Sequence, residues 1–202
     1  NLLLATHKTP CKRLILAGSF EEGLDQAAAA TPSSPYAAAK LAASNYARMF
    51  HSLYGAPVCM AALYMVYGPG QIDLKKLLPY VILKTLAGES PQMTSGVRRV
   101  DWIYVDDVVS ALLRMADAPA IDGMTIEIGS GSSLTVEEIV RLTMGMIDPA
   151  VEPKFGSVKD RPMEQERNAD VEQTYARIGW RPQIDIRTGL RRTIDYYAGL
   201  AG

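Results

Sequence analysis

Short apolar runs alternate along this chain with longer segments whose apolar residues recur at helical spacing. Lys12–Ala17 (KRLILA) reads as a buried strand that ends at Gly18-Ser19. Residues 1–9 before it read as the end of a helix, and residues 20–35 after it as a loop. Ser34 followed by Pro35 is a helix start, a hydroxyl cap and then proline at the first helical position. That helix should run to about Tyr54 and stop at Gly55. Val58–Val66 reads as one second buried strand, closed by the turn Tyr67-Gly68-Pro69-Gly70. A helix is expected over Leu77–Ala87 and a strand over Val100–Val105. Asp106 and Asp107 then sit where a helix N-terminus favours carboxylates. Thr125–Ile128 is a further strand, and Thr135 with Glu138 forms a capping box for a helix to about Met146. The region 150–202 mixes Pro and Arg and holds one last helix from about Thr188. Strands alternating with helices predict an α/β fold with a mostly parallel sheet.

The composition narrows the function classes. The 202 residues carry 48% hydrophobic and 21% charged side chains and a net charge of -1, with basic residues scattered rather than striped. That is a globular balance and argues against a nucleic-acid partner. Cys11 and Cys59 have no metal-ligand spacing and make no disulfide framework, so a reducing, cytoplasmic setting and no metal are expected. No apolar run reaches the roughly 18 residues of a membrane helix. The chain opens with Asn1, not Met, in what reads as mid-helix, which suggests a fragment or a processed product.

Tyr36 and Lys40 are four apart on a predicted helix and therefore share a face. A phenol is a poor base at its ordinary pKa of about 10. An ammonium at about 4 Å is worth roughly 1 kcal/mol in water and roughly 4 kcal/mol at intermediate dielectric. At about 1.36 kcal/mol per pKa unit, only the second shifts a phenol usefully. The spacing alone is weak evidence, because Tyr80 and Lys84 repeat it. For that second pair the simpler reading holds: a surface lysine beside an aromatic packed on the core.

Context separates the two pairs. Ser19, then 33–40 (SSPYAAAK), 66–71 (VYGPGQ), 101–108 (DWIYVDDV) and 128–131 (IGSG) follow one another in an order that resembles the extended short-chain dehydrogenase/reductases, the NAD-dependent epimerase/dehydratase group acting on nucleotide sugars. The resemblance covers essentially the whole chain. It implies the later part of a Rossmann-like parallel sheet with helices on both faces, plus a small α/β substrate-binding subdomain. It assigns 1–68 and 97–131 to the first, and 69–96 and 132–202 to the second. It implies that Tyr36 is the acid/base on a sugar oxygen, that Lys40 lowers its pKa and holds the nicotinamide ribose, and that Ser19 hydrogen-bonds the same oxygen. Without the resemblance Ser19 is a strand-end turn residue. Cofactor contacts fall on Tyr36, Lys40, Met65 and Val66, with NAD or NADP as cofactor. Substrate contacts fall on Lys76, Arg98, Arg99 and Arg161, Arg suiting a diphosphate through its bidentate fork. Arg98 and Arg99 read equally well as solvated surface charges. The resemblance also implies a homodimer through the helix ending near Lys8 and the Tyr36–Tyr54 helix, with a small-residue stripe of Ala39, Ala43, Ala47 and Phe50.

Several positions depart from the pattern. No glycine-rich phosphate loop precedes Ser19, so weak NAD(P) binding by this chain alone is expected. Gly129-Ser130-Gly131 places Leu134 where a third glycine belongs, and is read as the end of a late strand. Ala62, Met65, Lys76 and Val100 replace the usual Arg, Asn, Asn and Arg. The 4,6-dehydratases resemble Thr-Asp-Glu at the first strand end, where the Asp protonates a leaving hydroxyl. Here the row is Ser19-Phe20-Glu21, so that acid is missing while Glu21 could still act as a base. The sequence therefore favours a nucleotide-sugar 4-epimerase or 4-ketoreductase, against the alternative of a non-catalytic binding module.

Overall fold

The structure is a computed structural model and describes residues 1–22, 31–160 and 166–201. Its backbone is organised by two three-stranded sheets. The first contains β1 (Leu14–Ser19), β2 (Val58–Leu63) and β5 (Thr125–Ile128) in the order β1-β2-β5, all parallel. The second contains β3 (Met65–Tyr67), β4 (Arg99–Tyr104) and β6 (Ser133–Thr135) in the order β3-β4-β6. There β3 and β4 run parallel, and β6 runs antiparallel to β4. The expected α/β class is thus present. Residues 97–104, grouped by sequence with the first sheet, supply the centre of the second.

Alternation of side chains sorts the first sheet into two faces. Leu14, Leu16, Val58 and Met60 point into one cluster with Ala47 and Phe50 of helix α2 (Pro35–Tyr54). Ile15, Cys59 and Ala61 point the other way, toward Val108, Ala111 and Met115 of α4 (Val105–Asp117). One period-two pattern therefore places helices on both faces. The short helix α1 (Leu2–His7) packs beside α2.

The caps read from sequence are formed. Ser34 Oγ accepts the Ala37 N–H at 3.1 Å, Pro35 holds the first helical position, and Gly55 ends α2 at φ 62°. Thr135 and Glu138 close both bonds of their capping box at the start of α5 (Val136–Gly145).

The single strand expected over Val58–Val66 is interrupted at Tyr64. Its N–H donates to the Ile128 carbonyl at 3.0 Å, at the last pairing position of β5. Its hydroxyl donates to Glu127 at 2.7 Å. Beyond this anchor the backbone leaves the first sheet, and Met65 pairs with Trp102 of the second. Three elements were not anticipated: the 3₁₀ turn Phe20–Glu22, the three-residue β6, and helix α6 (Val171–Ile178), which Asp170 caps and Gly179 ends. Helices α3 (Leu77–Leu86), α5 and α7 (Ile186–Ala201) surround the second sheet with a core of Val81, Ile82, Ile139, Val140 and Leu190. Of the two acids at the start of α4, Asp106 is exposed. Asp107 is 3% exposed and accepts the N–H groups of Gln183 and Ile184 at 3.0 and 2.9 Å, which straps the approach to α7 onto α4.

Candidate active site

The C-terminal end of β1 and the first turn of α2 meet at the mouth of a cleft of about 620 Å³. Its walls include Ser19, Phe20, Glu21, Tyr36, Lys40, Tyr64, Met65 and Val66. A second chamber of about 690 Å³ adjoins it. The two share Met65, Lys76, Leu77, Arg98 and Trp102. Every sequence-selected site residue that is described lines this double cleft except Arg99. The Arg99 guanidinium turns to Ser133, donating to its hydroxyl at 3.1 Å and its carbonyl at 2.7 Å. Arg161 lies outside the described residues.

Tyr36 projects from the first turn of α2 and is 54% exposed. Lys40, one turn on, sits with Nζ 5.7 Å from the centre of the Tyr36 ring and donates to the Ala17 carbonyl at 2.7 Å. That bond ties α2 to the end of β1, where Ser19 is 6% exposed and its Oγ accepts the Glu21 N–H at 3.3 Å.

Behind the cleft lies a network that no motif announced. The 3₁₀ turn Phe20–Glu22 sends three successive side chains about 120° apart. Phe20 stacks on Tyr64, ring centres 5.0 Å apart and planes 15° apart. Glu21 enters the cleft. Glu22 goes inward, 5% exposed, and accepts the Ser19 N–H at 2.6 Å and the Ser44 hydroxyl at 2.6 Å. Ser44 follows Lys40 by one turn of α2, so the Glu22 carboxylate holds the strand end and the helix in register. Gly18 makes room for it: a Cβ there would lie 2.5 Å from Glu22 Oε1 and 3.2 Å from the Ala61 carbonyl. The only sequence signal was the acid pair itself, and its partner is 22 residues away.

Tyr80 lines the second chamber and its hydroxyl accepts the Gln92 N–H at 3.0 Å, while Lys84 pairs with Glu89. This second Tyr/Lys pair is thus split between a structural bond and a surface ion pair. In the 129–131 turn, the Ser130 and Gly131 N–H groups donate to Asp101 at 2.7 and 3.0 Å. These donors are spent within the fold and are not directed at a phosphate. A nicotinamide cofactor fits the β1–α2 end, where Tyr36, Lys40 and Ser19 converge, and its diphosphate finds no cradle in the Gly129 turn. Among the described residues no cluster of His, Cys, Asp and Glu could hold a metal ion, and no helix is long and apolar enough to cross a membrane.

Comparison with known proteins bears on the family and the fold. Residues 1–129 match the NAD dependent epimerase/dehydratase family. The dTDP-glucose 4,6-dehydratase of Xanthomonas campestris pv. campestris is 33% identical over 176 residues, which is 82% of this chain and 50% of that protein. The chain spans about half the length of the curated relatives it matches. Among solved structures, the epimerase Mth375 of Methanothermobacter thermautotrophicus superposes with a TM-score of 0.88 at 22% identity, over 98% of this chain and 62% of that one. MoeE5 in complex with UDP-glucose and NAD superposes with a TM-score of 0.86 at 27% identity, over 100% of this chain and 70% of that one. With residues 1–129, more than half of the chain, matched by the family model, this chain belongs to the NAD-dependent epimerase/dehydratase family.

Proposed function

We propose that the chain forms the substrate-binding and acid/base part of a nucleotide-sugar 4-epimerase or 4-ketoreductase that uses NAD or NADP. The observation that carries this is the double cleft, with a Ser19–Tyr36–Lys40 constellation in one chamber and Lys76 and Arg98 at its junction with the next. In this reading the sugar lies beside β1, and the two cations face the diphosphate of the nucleotide. The Tyr36 hydroxyl exchanges a proton with the sugar oxygen, and Ser19 Oγ holds that oxygen. Lys40 contributes positive charge beside the phenol and a donor for the cofactor ribose. A nicotinamide held there by Lys40 would supply hydride transfer.

The dehydratase reading has support in the names of the 33%-identical relatives. Against it stands Phe20, which is 5% exposed, stacked on Tyr64, and has no proton to give a leaving hydroxyl. The experiment is turnover of UDP- and dTDP-linked sugars by the protein with its glycine-rich half in place. Tyr36→Phe should lose roughly 10²–10⁴-fold in kcat with KM largely kept. Lys40→Met should slow turnover and weaken cofactor affinity, while Lys84→Met, on the surface pair, leaves both unchanged. Near-normal turnover by folded Tyr36→Phe overturns the assignment in favour of a binding module.

The family resemblance also supports a homodimer through α1 and α2, with one revision. Of the small-residue stripe, Ala47 and Phe50 are buried against the chain's own sheet. The outward face of α2 carries Ala39, Ala42, Tyr46, Met49 and Leu53, spaced three and four apart. The proposed contact is this second stripe.

A further inference from the structure

From the buried side of the turn that follows β1 we infer that Glu22 is a positioning residue, whose two oxygens fix where the Ser19 hydroxyl meets a bound sugar. The inference rests on the nucleotide-sugar reading and adds to it a residue that touches neither substrate nor cofactor. Ser19-Phe20-Glu21-Glu22 makes the two reciprocal bonds of a capped turn: Ser19 Oγ accepts the Glu21 N–H, and the Glu22 carboxylate accepts the Ser19 N–H. Thr135 and Glu138 close a box of the same kind at the start of α5, and Glu138 does so from an exposed position. Capping therefore needs no burial. Glu22 is 5% exposed, and its second oxygen accepts the hydroxyl of Ser44, which is fully buried. A carboxylate taken out of water costs stability unless its oxygens are met. Here one oxygen is met from the strand end and the other from α2, the helix that carries Tyr36 and Lys40.

The second bond adds a fixed spacing between Ser19 and that helix. The Glu21 N–H occupies one lone pair of the Ser19 hydroxyl and so orients it, leaving the O–H to donate. In the proposed reaction this O–H reaches the same sugar oxygen as the Tyr36 phenol. Such a pair tolerates little displacement, because about 1 Å of misplacement can cost about 10²-fold in rate. Lys40 makes an independent tie from α2 to the Ala17 carbonyl. Loss of Glu22 therefore frees the turn and Ser19 while Tyr36 and Lys40 stay anchored.

The test is a double-mutant cycle in the protein with its glycine-rich half in place, reading turnover of UDP- and dTDP-linked sugars well below each variant's melting temperature. Glu22→Ala should lower kcat roughly 10–10²-fold with KM kept. The cations assigned to the diphosphate, Lys76 and Arg98, lie away at the junction of the chambers. Ser44→Ala removes only the helix-side bond and should lower kcat by a smaller factor. Glu22→Gln can still accept the Ser19 N–H and donate to the Ser44 hydroxyl, so it should recover most of the turnover. In a Ser19→Ala background, Glu22→Ala should again lower the melting temperature but leave kcat where Ser19→Ala put it. If Glu22→Ala does not fold, Ser44→Ala takes its place in the cycle with the same outcomes. Equal kcat factors in both backgrounds, a raised KM at unchanged kcat, or full turnover by the folded variant overturns the inference and leaves the nucleotide-sugar reading standing. A parent protein that turns over none of these sugars overturns both.

Discussion

At the scale of single residues, the buried acids carry much of the local order. Asp101 is 1% exposed, and its two oxygens accept four donors: the N–H and hydroxyl of Ser130, and the N–H groups of Gly131 and Ala169, all within 3.0 Å. Replacing one oxygen by an amide sets N–H against N–H in a dry site. Asp101→Asn should therefore cost about 2–4 kcal/mol, read as a lower urea midpoint at unchanged slope. Asp101 and Glu22 also mark the limit of what the sequence reveals. Tyr36, Lys40 and Ser19 were legible because their chemistry travels with a local spacing or a motif order. The buried Glu22 carboxylate is met by Ser44 across a helix–strand contact, and no local pattern encodes that.

At the scale of elements, α2 was readable end to end because capping is local. Ser34, Pro35 and Gly55 each satisfy or omit a backbone group within one turn of themselves. Ser34→Ala should cost about 0.5–2 kcal/mol in chemical denaturation. The break between β2 and β3 was not readable, because all nine residues from Val58 to Val66 suit a buried strand. The break is imposed by Glu127 and Ile128 on a different strand, which anchor Tyr64 at the edge of the first sheet. The face of α2 was misassigned for a related reason. Helix α2 offers two apolar stripes, and only the packing of Ala47 and Phe50 on β1 and β2 decides which one faces outward. If the outward stripe joins two copies, light scattering should give twice the mass of the chain. Tyr46→Glu combined with Leu53→Glu should then halve it, with the helical circular dichroism kept.

At the scale of the whole molecule, the buried ionisable groups set a direction for alkaline stability. Burial pushes the Cys59 thiol up to about 11 from an ordinary 9.0, and burial likewise raises the Tyr64 and Tyr67 phenols. In each case the unfolded chain loses its proton first. The Cys59 contribution is intact below about pH 9 and is lost as the pH rises toward about 11. Stability should fall over that window, and Cys59→Ala should show a shallower fall on top of a constant offset, seen in urea melts at several pH values. The fold class was legible from the alternation of strands and helices, whereas the division into two sheets was not. That division has a thermodynamic consequence. One cluster surrounds β1, β2 and α4, another surrounds β4, α3 and α7, and the backbone passes between their sheets at Tyr64. The double cleft straddles this crossing, so a ligand long enough to occupy both chambers stitches two cores that could otherwise melt separately. Such a ligand should raise the melting temperature and also sharpen the transition, merging two overlapping unfolding steps into one.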